Sequence, residues 1–209
     1  AGFAKDELLS GVTTIRTVGG LGDFDTRLRD EIKAGTKIGP RILASNQGIS
    51  VPGELKMPPE MVRAVCEKAH ADGYLVAAHV ESPEGVRVAL ENGVDSIEHG
   101  AKLTDEMVKL FKERGAFLCT TISPALPYAL FDRSITNATK RSAELTDIDS
   151  ITGSIEKGKA ADLIVTAQNP LKDLKALRNL EMVISGGRFI EHPKIKKRKQ
   201  VEAELDKFL

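Results

Sequence analysis

Apolar positions along this chain follow two periods, one near 2 and one near 3.6, and the segments carrying them alternate. The β-branched run "GVTTIRTV" (11–18) predicts a buried strand. Residues 24–35 predict a helix, with Leu28 and Ile32 four apart and Gly35 as its stop. "GPRILAS" (39–45) predicts a second strand. "MPPEMVRAVCEKAHADG" predicts a helix with prolines in its first turn, a stripe of Met61, Val65 and Ala69, and Gly73 beyond its end. "YLVAAHV" then predicts a strand, "SPEGVRVALENG" a short helix ending at Gly93, and "VDSIEHG" a strand. "LTDEMVKLFKERG" predicts a helix capped by Thr104 and ended by Gly115, and "AFLCTTI" the next strand. Strands alternating with helices of this length imply βα units and a parallel sheet.

The rhythm changes after residue 130. Residues 134–144 look helical. The segment 153–190 has short strands at Ala161–Thr166 and Met182–Ser185 with a Gly-Gly turn at 186–187, which predicts a small antiparallel unit. The tail, 194–209, is basic and then amphipathic, with Ile195, Val201, Leu205 and Phe208. Its Lys/Arg run at 196–199 reads as a solvated helix face.

Composition narrows the function classes. With 209 residues and 41% hydrophobic content, the chain can bury a real core. Lys plus Arg equals Asp plus Glu at 30 each, so no electrostatic case arises for nucleic acid or an anionic membrane as partner. No apolar run approaches the roughly 18–20 residues of a spanning helix. The opening "AGFAKDELLSG" shows no signal-peptide pattern. Cys66, on an apolar helical face, and Cys119, in an apolar strand, read as free buried thiols of a reducing, cytoplasmic compartment.

The chemistry centres on histidine. The chain has four, and His79 and His99 each end a strand-like run, twenty residues or about one βα repeat apart. In parallel α/β barrels, active groups come from the carboxyl ends of several strands, so the two imidazoles would share one mouth. Neutral imidazole nitrogens bind zinc and other divalent metals. Hydrogen-bonded core histidines are the plainer alternative. Glu81, two residues past His79, could face the same site from the loop. Glu98 alternates away from His99 and reads as structural. His70 and His192 read as surface or capping residues. Asp23 and Asp25 follow a Gly-rich turn, and Asp25 reads as a helix cap. "GGLGD" (19–23) lacks both phosphate-loop patterns.

"GVTTIRTVGG", "GPRILAS", "VAAHV", "GVDSIEHG" and "GSIEKGKAADLIV" occur in this order in the amidohydrolase superfamily, and the chain resembles its prolidase-like and imidazolonepropionase-related branch up to about residue 190. The resemblance implies a (β/α)8 TIM-type barrel at 1–150 and part of a small β-sandwich at 151–192; the amphipathic pattern beyond predicts a C-terminal helical tail at 193–209. The resemblance also implies one or two divalent ions, usually zinc, with His79 closing the fifth barrel strand and His99 the sixth as metal ligands; Glu81, read from its place beside them, is the expected substrate-binding residue. The activity implied is attack of a metal-activated water on an amide or peptide bond of a small substrate, a dipeptide or an N-acyl amino acid, by a homo-oligomer.

Three parts of the family pattern lack a counterpart. No His-x-His pair of a first strand occurs, "GISVPGELKMPPE" runs past the place of the fourth strand and its lysine, and "ISPALPYALFDRSITNATKRSAE" past that of the eighth and its aspartate. Asp132 lacks a preceding apolar strand and takes no catalytic role. A full barrel needs about 250 residues, and one missing three strands would expose unpaired edges. The joins near 51–54, 131–137 and 146–150 therefore raise the expectation that the sequence represents parts of a longer protein. The alternatives are a short, non-catalytic binding or scaffold relative, and a cyclic-amide hydrolase or deaminase of the same superfamily.

Overall fold

The computed structural model describes residues 2–20, 22–49, 57–120 and 135–195, together with 197, 199 and 203. The chain divides into two compact units, Ala1–Gly48 with Pro124–Leu209, and Ile49–Ser123.

The first unit opens with helix α1 (Gly2–Leu9), absent from the sequence reading, which buries Ala4 and Leu8, one turn apart. Strand β1 (Thr14–Arg16) follows, then α2 (Phe24–Lys33) and β2 (Arg41–Leu43). β1 and β2 pair in parallel with Ile15 beside Ile42.

The second unit holds three βα repeats: α3 (Pro59–Ala71), β3 (Ala77–Val80), α4 (Pro83–Glu91), β4 (Ser96–His99), α5 (Asp105–Arg114) and β5 (Phe117–Cys119). The strands form one parallel sheet in the order β3-β4-β5. The cap at Thr104 and the stop at Gly115 act as predicted, and Ser82 adds a cap that the sequence reading did not name. Ser82 caps α4 by accepting from the Gly85 N–H, Thr104 caps α5 by accepting from the Met107 N–H, and Gly115 ends α5 in the left-handed conformation at φ +65°. The helices cover one sheet face. Ile97 is fully buried against Val86, Leu90 and Phe111, with Ala78, Val80 and Leu118 beside it. The opposite face carries Ala77 and His79, Ser96 and Glu98, Phe117 and Cys119, by strict alternation.

The predicted stripe of α3 needs correction. Met61 is exposed, and the face turned inward is Val62, Val65, Cys66 and Ala69. At about 100° per residue, 62, 65, 66 and 69 share one arc of about 100°, and Met61 lies about a quarter turn from its middle.

The rest of the first unit begins with a π-helical turn (Asn137–Arg141) running into α6 (Ser142–Leu145), where the sequence predicted one helix. An antiparallel sheet follows, β6 (Leu163–Thr166), β7 (Leu180–Ser185) and β8 (Arg188–Glu191) in that order. Gly186 and Gly187, at φ +55° and +79°, make the two-residue turn between β7 and β8 that their sequence predicts. Asp162, buried, accepts hydrogen bonds from the Arg41 guanidinium at 2.8 Å, the Thr152 hydroxyl at 3.2 Å and the Gly186 N–H at 2.8 Å. It thereby ties β2 to the hairpin turn.

The architecture is mixed α/β with parallel sheets and a separate antiparallel sheet. No closed barrel is formed among the described residues. Nor is any helix among them long and apolar enough to cross a membrane. Of the tail, Ile195 and Lys197 are described, while Val201, Leu205 and Phe208 lie outside the described residues, as does Asp132.

Candidate metal site

β3 and β4 run parallel, so their carboxyl ends lie on one edge of the sheet. The register does not set the two histidines side by side. His79 stands beside Glu98, and His99 beside Val80. Alternation would then send His79 and His99 to opposite faces. The backbone resolves this. His99 takes φ +70°, the left-handed region that non-glycine residues rarely enter. Gly100 follows at φ +80°, and its N–H reaches back to the carbonyls of Val80 and Glu98 at 2.9 and 3.0 Å. The positive φ at residue 100 favours glycine, and a Cβ there would also have to displace Leu118 Cδ1, 2.7 Å away. The strand thus ends in a twist that brings the two imidazoles together, with centroids 4.6 Å apart and ring planes at 75°.

Glu81, just past β3, joins them. Its Oε1 lies 3.9 Å from His79 Nε2. One ligand atom from each of His79, Glu81 and His99 lies within 4.8 Å of the others, and all three residues are exposed. Two imidazole nitrogens and one carboxylate oxygen are the donor set of zinc sites that keep a position open for water. The residues present therefore fit a divalent ion by chemistry and by proximity.

Glu98 is buried at 5% exposure and accepts a hydrogen bond from the Ser96 hydroxyl at 3.1 Å. The register sets it in a row with His79 on one side and Cys119 on the other. That shared face was missed in the sequence because alternation was counted only within β4. The remaining histidines lie apart from the cluster. His70, in the last turn of α3, has Nε2 2.8 Å from Asp95 Oδ2, which also accepts from the Val76 N–H at 2.6 Å. His192 is exposed after β8, 3.5 Å from Glu181. Burial pushes the Cys66 thiol above its ordinary range, and the nearby Asp95 carboxylate adds to the effect, so this sulfur stays protonated.

The ends of β1 and β2 hold a second polar cluster. Asp25 is not the N-cap of α2; Asp23 occupies that position and makes no side-chain cap hydrogen bond. Asp25 is buried instead. It accepts from the Thr17 hydroxyl at 2.6 Å, the Asn46 N–H at 3.0 Å and the Thr26 N–H at 2.8 Å. The Thr17 hydroxyl holds this carboxyl below its ordinary range, against the opposing effect of burial, and the two backbone donors add to the lowering. Ser45 closes the loop by donating its N–H to Thr17 Oγ1 at 2.9 Å and accepting from the Gly19 N–H at 2.7 Å. The signal available in sequence was two hydroxyl residues just beyond two strands, with an acid in the helix between them.

No family model matches the chain. An uncharacterized protein of Mycobacterium tuberculosis is 38% identical over 63 residues, covering 30% of this chain and 17% of its own length. Ochratoxinase of Aspergillus niger is 28% identical over 107 residues, covering 50% and 22% respectively. The matches thus span about a fifth of these relatives' length. Among solved structures, a protein of Bifidobacterium longum provisionally named a prolidase superposes with TM-score 0.79 at 27% identity, over 98% of this chain and 79% of that one. A Xaa-Pro dipeptidase with methionine in its active site gives TM-score 0.75 at 23% identity, over 91% and 78%. The first of these structures is described as a prolidase and the second as a Xaa-Pro dipeptidase, the group that the chain's motifs resemble.

Proposed function

We propose, from its resemblance to prolidase-like proteins of the amidohydrolase superfamily, that this chain is a metal-dependent hydrolase of C–N bonds. Its substrate is a small molecule with a linear amide or peptide bond, a dipeptide or an N-acyl amino acid. The observation that carries this reading is the meeting of His79 and His99, with Glu81 beside them, at the carboxyl ends of adjacent parallel strands. The strand–helix alternation supports assigning residues 1–150 to a (β/α)8 barrel, 151–192 to a β-sandwich portion and 193–209 to a helical tail.

His79 and His99 are the residues that would hold the ion, one or two in number and zinc first among candidates. Such an ion, when bound, would supply a water of pKa lowered toward 7 and polarisation of the scissile carbonyl. The protein's own part is orientation. The left-handed turn at His99 aims its ring at His79, and the adjacent strand pair fixes the spacing of the two backbones. Two free thiols among the described residues support a reducing, cytoplasmic compartment. A homo-oligomer without nucleic-acid or membrane partners completes the reading.

The test is turnover by the purified protein, with and without added zinc, manganese or cobalt, on a panel of Xaa-Pro dipeptides, N-acyl amino acids and cyclic amides. Metal-dependent cleavage of the linear amides is expected, together with loss of both metal and turnover in His99→Ala. Retained stoichiometric metal and full turnover in that variant would overturn the assignment. Cleavage of cyclic amides alone would move it to a ring hydrolase. Purification without metal and without turnover would favour a binding protein built on this fold.

A further inference from the structure

Beyond His99, the Gly100 N–H reaches back to Val80 and Glu98 and turns the backbone at the carboxyl end of the sheet. The next three residues divide. Ala101 and Leu103 pack against the helix-side core around Ile97, and Lys102 between them is exposed. Thr104 then caps α5. Among the described residues 57–120, Lys102 is the only lysine or arginine outside a helix. Of the others, Arg63 is held by Asn92, Lys68 by Asp72, Arg87 by Glu84 and Glu91, and Lys109 by Glu113. The Lys102 ammonium has no ion pair or hydrogen bond among the described residues, although Asp105 and Glu106 follow it closely.

An unpaired cation thus stands three residues past a candidate metal ligand. Three residues span at most about 11 Å, and the lysine stem reaches back about 6 Å. In a dipeptide or an N-acyl amino acid, the carboxylate carbon lies within about 4 Å of the scissile carbonyl carbon. A substrate whose carbonyl sits at His79 and His99 can therefore hold its carboxylate against Lys102. Glu81 puts the opposite charge beyond β3, 3.9 Å from His79, so the two strand ends differ in sign and orient an anion toward the β4 side. We propose that Lys102 binds the substrate's α-carboxylate, and that the site accordingly takes substrates with a free carboxylate next to the scissile amide. The proposal rests on the hydrolase reading above and narrows its substrate.

Binding and kinetics test it separately. Calorimetric titration of the full chain, supplied with zinc, should show N-acetyl-L-proline bound about fivefold more tightly than N-acetyl-L-prolinamide, the range of an exposed charge pair. Lys102→Gln should remove that preference, Lys102→Arg should retain it, and raised salt should weaken it. In turnover, Lys102→Gln should raise KM for free acids about fivefold with kcat and metal content unchanged, and should not raise KM for the matching carboxamides. A merely structural role would weaken acid and amide alike. Equal binding of acid and amide by the unaltered chain, or a preference that survives Lys102→Gln, would overturn the role of Lys102 and leave the hydrolase reading standing. A Lys102-dependent preference for the acid without any turnover would overturn the hydrolase reading and leave the carboxylate site standing.

Discussion

Two pairs of parallel strands in this protein end in polar side chains, and they end differently. Beyond β1 and β2, Asp25 is buried and saturated by Thr17, Asn46 and Thr26, and Ser45 closes the same network. Beyond β3 and β4, His79, Glu81 and His99 are exposed and gathered about a common point. The first arrangement spends its hydrogen-bonding capacity on loops of its own fold, and the second turns donor atoms outward. A carboxylate at a strand end is thus no sign of chemistry in itself. What distinguishes the two ends is whether neighbouring groups already complete the carboxylate's partners. A buried charged acceptor deprived of its donors would be costly, so Asp25 is committed to structure.

The sharpest way to break this contrast is at Asp25. Asp25→Ala leaves the Thr17 hydroxyl and the Asn46 N–H without their acceptor and should lower stability by about 2 kcal/mol in urea unfolding, with cobalt affinity unchanged. A fall in metal affinity without a fall in stability would reverse the roles assigned to the two ends.

His99→Gly probes the other end. Glycine accepts φ +70° without the penalty a side chain incurs there, so the variant should gain up to about 1 kcal/mol of stability while losing the metal. Stability lost together with metal would show that the imidazole is a structural part of the fold.

The smallest effect is a pH dependence. The folded state holds the Asp25 pKa below its ordinary value, so its contribution is fully present above about pH 4, where the unfolded carboxyl is ionised, and is lost as pH falls through the lowered folded value. Unfolding free energies measured across that acid range should decline less steeply for Asp25→Asn than for the unaltered chain. Equal slopes would remove Asp25 from the acid response.

Much of this was legible in the chain. The cap at Thr104, the stop at Gly115 and the turn at Gly186–Gly187 act within a few residues of themselves, and each formed where predicted. The histidines were legible as a pair because "AAHV" and "SIEHG" recur one repeat apart. The α3 stripe was misread at Met61 because the buried face is centred about a quarter turn away from it, toward Val62 and Cys66. The role of Asp25 was misread because two of its partners lie 8 and 21 residues away, just past the ends of strands whose spacing no local pattern states.

By itself, then, the sequence determined the strand and helix order, the parallel and antiparallel divisions and the residue types able to ligate a metal, since these follow from periodicity and from local backbone preference. The tertiary structure alone decided the register. It set His79 beside Glu98 rather than His99, placed Glu98 under the protein surface, and required a left-handed residue at His99 to bring the imidazoles together. Register depends on how two distant segments pack against shared helices, a balance of many contacts that no single stretch of sequence contains.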